Sequence, residues 1–183
     1  QGRVVIMTGG DRGLGRAMAL ALAGAGAKLV LASPEAGGLA AVAAELEAAS
    51  GQAALAVPAD ITDPASSADL VAATLEAFGH LDVLFNNARR FMRGPGLPAH
   101  GNSLTVFETD PDIYRETVMV NVVGTFNMTR AALAPMMEKG AGKIINLTTS
   151  LRNFYQPRNS PYGVTKAAEE SETIAECALP IAR

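Results

Sequence analysis

The sequence is poor in residues that announce chemistry by themselves: among 183 residues there are one cysteine, Cys177, two histidines, no tryptophan and only 5% aromatics. A single cysteine excludes an intrachain disulfide and fits a reducing compartment, so a cytoplasmic location is expected. His80 and His100 lack partners at metal-ligand spacing, and no metal is expected. Basic charge is scarce as well. The 15 Lys and Arg stand against 18 Asp and Glu, giving a formal net charge of -3 and a pI near 5.4. That balance offers no footprint for nucleic acid or for an anionic membrane, and small molecules are the expected partners. Long hydrophobic runs are missing too: the longest uncharged apolar stretch, residues 17–27, falls short of the ~20 residues of a spanning helix and contains Gly24 and Gly26. No basic region followed by an apolar core opens the chain. Gln1 abuts the first strand-like run and Arg183 follows an unfinished helical pattern, so the chain reads as a fragment. Its length and its 49% hydrophobic content suit one domain over residues 1–183 rather than two.

What is present is an alternation. Apolar runs with β-branched residues at 3–7, 27–32, 54–58, 81–86 and 143–148 read as strands, and helical patterns fall near 13–25, 35–50, 64–78 and 111–138, with a last helix from about 159. This rhythm predicts an α/β fold, a doubly wound parallel sheet with helices on both faces. Residues 88–110, rich in Gly, Pro and Arg, form the one long irregular stretch.

Between the first strand and the first helix stands Thr8-Gly9-Gly10-Asp11-Arg12-Gly13-Leu14-Gly15. Such a turn aims backbone N–H groups and a positive helix end at one place, where a pyrophosphate can sit, and glycines clear its approach. Tight packing of helix on strand also selects glycine, and that reading stays open for the turn alone. Further on, Tyr162 and Lys166 are spaced i, i+4 on one helix face. A neighbouring ammonium favours the charged form of a phenol, which suits a proton donor and acceptor. A solvated helix face is the plainer account of the same pair.

The T-G-x-x-x-G-x-G spacing, with Asn86-Asn87-Ala88 after the fourth strand and Tyr162-Gly163-Val164-Thr165-Lys166 near the end, resembles the short-chain dehydrogenase/reductase family over nearly the whole chain. The resemblance implies a Rossmann-like sheet whose last strands are missing here. It implies an enzyme that moves hydride between NAD(P) and an alcohol or ketone, and in full-length form a homo-oligomer. Cofactor contacts are then expected from Gly9, Arg12, Gly13, Leu14, Gly15, Ser33, Asp60, Ile61, Asn87, Ala88, Tyr162 and Lys166. Asp60-Ile61 would flank the adenine, and Lys166 would hold the nicotinamide ribose. Tyr162 would carry the proton, and Asn121 would hold a water linking Lys166 to solvent. The family has a serine thirteen residues before the tyrosine, where this chain has Thr149, with Ser150 as the substitute.

The second strand ends Ala32-Ser33-Pro34, with no acid until Glu35, and Arg12 resembles the basic residue of NADP-preferring members. NADP is therefore expected, with NAD as the alternative. Arg89 replaces the signature glycine and is followed by Arg90 and Arg93, which suit either an anionic substrate or a solvated loop. Two other functions compete: a catalytically silent NADP-binding or scaffold protein of the same fold, and a nucleoside-binding methyltransferase, which would have no use for Tyr162 and Lys166.

Overall fold

A computed structural model of the chain describes residues 2–90 and 105–177. Five strands, β1 (Val4–Thr8), β2 (Lys28–Ser33), β3 (Leu55–Pro58), β4 (Val83–Asn86) and β5 (Lys143–Asn146), form one sheet in the order β3-β2-β1-β4-β5. Every pairing is parallel. The crossovers are α1 (Gly13–Gly24), α2 (Ala36–Ser50), α3 (Pro64–Phe78) and the long pair α4 (Pro111–Val118) and α5 (Gly124–Lys139).

Strands covered on both faces read as continuous apolar runs, and β1 is buried at every residue. Within them the alternation of strand side chains sorts the core into two halves. Ile6, Val30, Ala32 and Leu84 pack with Leu70 and Val71 of α3 and with Met128, Ala132 and Met136 of α5. Val5, Met7, Leu29, Leu31 and Val83 face the other way, onto Ala19 and Ala23 of α1 and Leu39, Val42 and Leu46 of α2. The sheet is thus doubly wound, as the sequence rhythm predicts. Helices α3 and α4 begin where an aspartate accepts from the first turn, Asp63 from Ala65 N and Asp110 from Asp112 N, each with proline just inside.

Several boundaries differ from expectation, β4 for one starting at Val83 rather than 81. β5 ends at Asn146 rather than 148 because its partner β4 ends at Asn86, whose carbonyl takes the Leu147 N–H in the last rung of the ladder. The expected continuous helix 111–138 contains a π-helical turn, Met119–Val123, in which Asn121 is fully buried. The last helix, α7 (Tyr162–Cys177), starts later than 159 and is preceded by a short helix, α6 (Leu151–Phe154). Of the irregular stretch, residues 91–104 lie outside the described residues, with Arg93 and His100 among them, as do residues 178–183. Among the described residues, no helix is long and apolar enough to cross a membrane, and no three His, Cys, Asp or Glu side chains cluster to hold a metal ion.

Leu84 has no exposure in the central region of the sheet. Leu84→Ala is expected to cost about 2–5 kcal/mol, read as a lower denaturant midpoint with an unchanged slope in equilibrium unfolding of the intact protein.

Candidate active site

The ends of β1 and β4 are knotted by two side chains. The Thr8 hydroxyl donates to Phe85 O at 3.2 Å and accepts from Asn87 N and Ala88 N at 3.0 Å each. Asn87 Nδ2 returns the contact, donating to Thr8 O at 2.9 Å and Gly9 O at 3.1 Å. The glycine turn is therefore pinned to the end of β4 before α1 begins. At Gly15 a Cβ would stand 2.0 Å from the Gly9 carbonyl oxygen, so only glycine closes this turn. Gly13 has a different role: its φ is +55° and a Cβ there would meet nothing, leaving the approach open.

α1 also starts without a capping side chain. Its N-cap is Arg12, which makes no side-chain capping bond, whereas α3 and α4 are capped by aspartates. The first-turn N–H groups and the positive end of the helix dipole border a crevice of about 500 Å³. Gly9, Arg12, Gly13, Leu14, Gly15, Ser33, Asp60, Ile61, Asn87 and Ala88 all line it, together with Glu35, Arg89, Arg90 and Val120. The crevice lies at the carboxyl edge of the sheet, where the winding reverses at β1. Local bonds shape its rim: Ser33 Oγ accepts from Glu35 N at 3.2 Å, and Asp60 Oδ1 accepts from Thr62 N at 2.9 Å, fixing the bend into α3. Arg12 is mostly solvated and sits 3.6 Å from the carboxylate of Asp11.

The remaining predicted residues gather around α7, and Tyr162 and Lys166 do not line this crevice. Both are buried, with Lys166 Nζ 6.0 Å from the centroid of the Tyr162 ring. Lys166 Nζ donates to Leu147 O at 2.7 Å and to both oxygens of Glu169 at 2.8 and 2.7 Å. Burial lowers the Lys166 pKa, and the nearby charge of Arg89 pushes the same way against the pull of Glu169. Burial likewise raises Glu169 to about 7, outweighing the attraction of Lys166. Asn121 bridges the two regions: its Oδ1 accepts from Arg90 N at 2.7 Å, and its Nδ2 donates to Arg90 O at 3.3 Å and Thr165 Oγ1 at 3.1 Å. Thr149 Oγ1 accepts from Asn153 Nδ2 at 2.7 Å.

A family model described as short chain dehydrogenase matches residues 3–175. The chain belongs to this family. It is 32% identical to L-fucose dehydrogenase of Mus musculus over 174 residues, which cover 95% of this chain and 58% of that enzyme. A Burkholderia phymatum short chain dehydrogenase/reductase solved in complex with NAD superposes with a TM-score of 0.84 at 32% identity, covering 96% of this chain and 59% of the other. An alcohol dehydrogenase of the archaeon Thermococcus sibiricus, complexed with 5-hydroxy-NADP, gives 0.83 at 26% identity, covering 100% and 74%. The chain thus spans somewhat under two thirds of the length of the curated relatives it matches. Membership sets aside the methyltransferase alternative.

Two residues of this short-chain dehydrogenase site were not singled out from the sequence. Thr8, which holds the knot, had its signal in the first letter of the glycine motif. Glu169 had its signal in helical spacing: Tyr162, Lys166, Glu169 and Thr173 fall at i, i+4, i+7 and i+11, one stripe of α7. The acidity of this helix reads from composition as solvated surface, yet Glu169 is 1% exposed.

Two outcomes follow from these contacts. Gly15→Ala is expected to lose at least about 3 kcal/mol or fail to fold, while Gly24→Ala, whose Cβ meets nothing, stays within about 1 kcal/mol of the parent on the stabilising side. Chemical denaturation distinguishes them. For Glu169, the folded state keeps a proton between pH 4.5, the ordinary carboxyl value, and about 7, where the unfolded chain has released it. Its contribution is therefore full below pH 4.5 and is lost as pH rises through about 7. A series of Tm values should show the advantage of the parent over Glu169→Gln shrinking across that window.

Proposed function

We propose that the chain is the nicotinamide-binding and catalytic part of an oxidoreductase that moves hydride between NAD(P) and an alcohol or carbonyl compound. The crevice residues fit a dinucleotide. The uncapped start of α1 suits a pyrophosphate, and the open space beside Gly13 leaves room for it. Gly13, Leu14 and Gly15 would hold the pyrophosphate, Asp60 and Ile61 the adenine, and Arg12 a 2′-phosphate. Both nicotinamide forms are named in the solved relatives, which supports the cofactor class. NADP is the preferred form on the strength of Arg12 and of Ser33, where an acid would serve NAD. When bound, the nicotinamide supplies or accepts the hydride.

The chain's own part is proton transfer and orientation. Tyr162 gives its phenol proton to the carbonyl oxygen on reduction and takes it back from the hydroxyl on oxidation. Thr149 donates a hydrogen bond to the same substrate oxygen, and Lys166 supplies positive charge beside the phenol and a donor for the nicotinamide ribose. The observation that carries this reading is Asn121, one buried amide joining the crevice wall at Arg90 to the turn of α7 that holds Tyr162 and Lys166. Arg89, exposed on the same wall, favours an anionic group on the substrate.

A second reading, a catalytically silent NADP-binding protein, draws support from the same contacts: the Thr149 hydroxyl is engaged by Asn153, and the Lys166 ammonium by Leu147 and Glu169. One variant separates them. In the intact protein, Tyr162→Phe is expected to lower kcat/KM for NADPH-dependent carbonyl reduction by about 100-fold or more, with NADPH affinity held within about threefold. NADPH binding without turnover in the parent, or turnover indifferent to the substitution, gives the silent reading instead.

A further inference from the structure

The proposed proton transfer does not use Glu169, yet Glu169 is buried and bonded directly to Lys166, which it does use. The carboxylate is 1% exposed and grips Lys166, itself 3% exposed, through both oxygens. An ammonium has three protons to donate, and Leu147 O with the two carboxylate oxygens accounts for all three. Burying one such charge without the other is strongly unfavourable, so each partner determines the state of its neighbour. We propose that Glu169 is a positioning residue of this site, the buried counter-charge that fixes the Lys166 ammonium against the Leu147 carbonyl at the end of β5. The inference rests on the oxidoreductase reading and adds to it the group that sets where the lysine charge stands.

The surroundings leave this duty to Glu169. Arg89, on the segment after β4, opposes the lysine charge, and Glu172, one turn further along α7, opposes that of Glu169. Glu170 turns to Thr148 Oγ1. Of the elements packed against α7, α4 brings Glu116, which pairs with Arg90, and the exposed pair Asp112 and Arg115. α6 brings Arg152, which is exposed. The π turn and the carboxyl end of β5 present the uncharged Asn121 and Asn146. Glu169 is thus the one group among these whose opposite charge touches Lys166. Without it, a buried ammonium beside Arg89 gives up its proton at lower pH. With it, the lysine reaches a ribose by surrendering one of three bonds rather than by moving a free chain.

The test uses Glu169→Gln and Glu169→Asp in the intact protein, with Lys166→Met and Tyr162→Phe alongside. Glu169→Gln is expected to weaken NADPH binding by about tenfold at pH 8, to converge with the parent below about pH 6, and to move the alkaline limb of the kcat/KM profile down by about one pH unit. Glu169→Asp, which keeps the charge, should restore the limb. A purely structural role would lower Tm without moving either readout. An unchanged affinity and pH profile in folded Glu169→Gln overturns the inference while leaving the oxidoreductase reading intact. Indifference of turnover to both Tyr162→Phe and Lys166→Met overturns the reading itself. Should Glu169→Gln not fold, ¹⁵N-lysine NMR of the parent decides: an ammonium resonance protected from solvent exchange and lost in Lys166→Met supports the clamp, and its absence refutes it.

Discussion

The site depends on how two strands part. At β1 the winding reverses, since β2 and β4 flank it and their crossover helices leave by opposite faces, so the carboxyl edge opens between them. A gap at a sheet edge exposes main-chain groups that must be satisfied. Thr8 and Asn87 do this, using five hydrogen bonds to join the end of β1 to the end of β4 and to seat the glycine turn. With the turn seated, α1 can begin at the crevice without a cap, and its N-terminal N–H groups remain directed at whatever the crevice receives. The candidate anion site is in this sense a by-product of closing the strand edge, and the positions of Gly9, Gly13 and Gly15 follow from it.

The fold was largely legible because its signals are one-dimensional. Buried parallel strands are uninterrupted apolar runs, and Ile6 against Val5 or Val30 against Leu29 assign the two faces by alternation alone. Helices were legible where a face repeats, as in α1, or where Asp63-Pro64 and Asp110-Pro111 mark a start. The π turn was not, because an extra residue within a turn leaves the periodic pattern intact on both sides and shows only in the inward rotation of Asn121. Nor was α6, four residues with no buried side chain, since so short a helix has no face to repeat.

Legibility of the candidate site divides along a similar line. The crevice residues were readable because the spacing of a backbone motif is nearly its geometry, and the turn from Gly9 to Gly15 leaves the chain little choice. Roles that depend on side-chain partners were less so. The side chain of Asn121 is held by the main chain of Arg90 and the hydroxyl of Thr165. Those partners lie 31 and 44 residues away in sequence, beyond any local pattern. Glu169 sat in plain helical register with Lys166, but charge on a helix reads as solvated until burial is known.

Charge placement then bears on the choice of cofactor. Arg12 and two acids, Asp11 and Glu35, line the crevice together with Ser33 at the end of β2. Asp11 is largely buried and lies beside Arg12, so part of that guanidinium's field is already compensated. Glu35 stands two residues past Ser33, whose hydroxyl holds the Glu35 N–H and thereby fixes the main chain at the end of β2. A 2′-phosphate entering this rim would gain from a solvated arginine, at surface-like strength, and would lose to an acid at comparable range. Preference between the two nicotinamide forms therefore rests on a small difference between opposed surface terms, and it responds to ionic strength in a way that a buried acid at the end of β2 would not. The proposed proton-transfer group is built on the opposite principle, a charge pair withdrawn from water, so the two ends of one ligand would meet fields of very different stiffness.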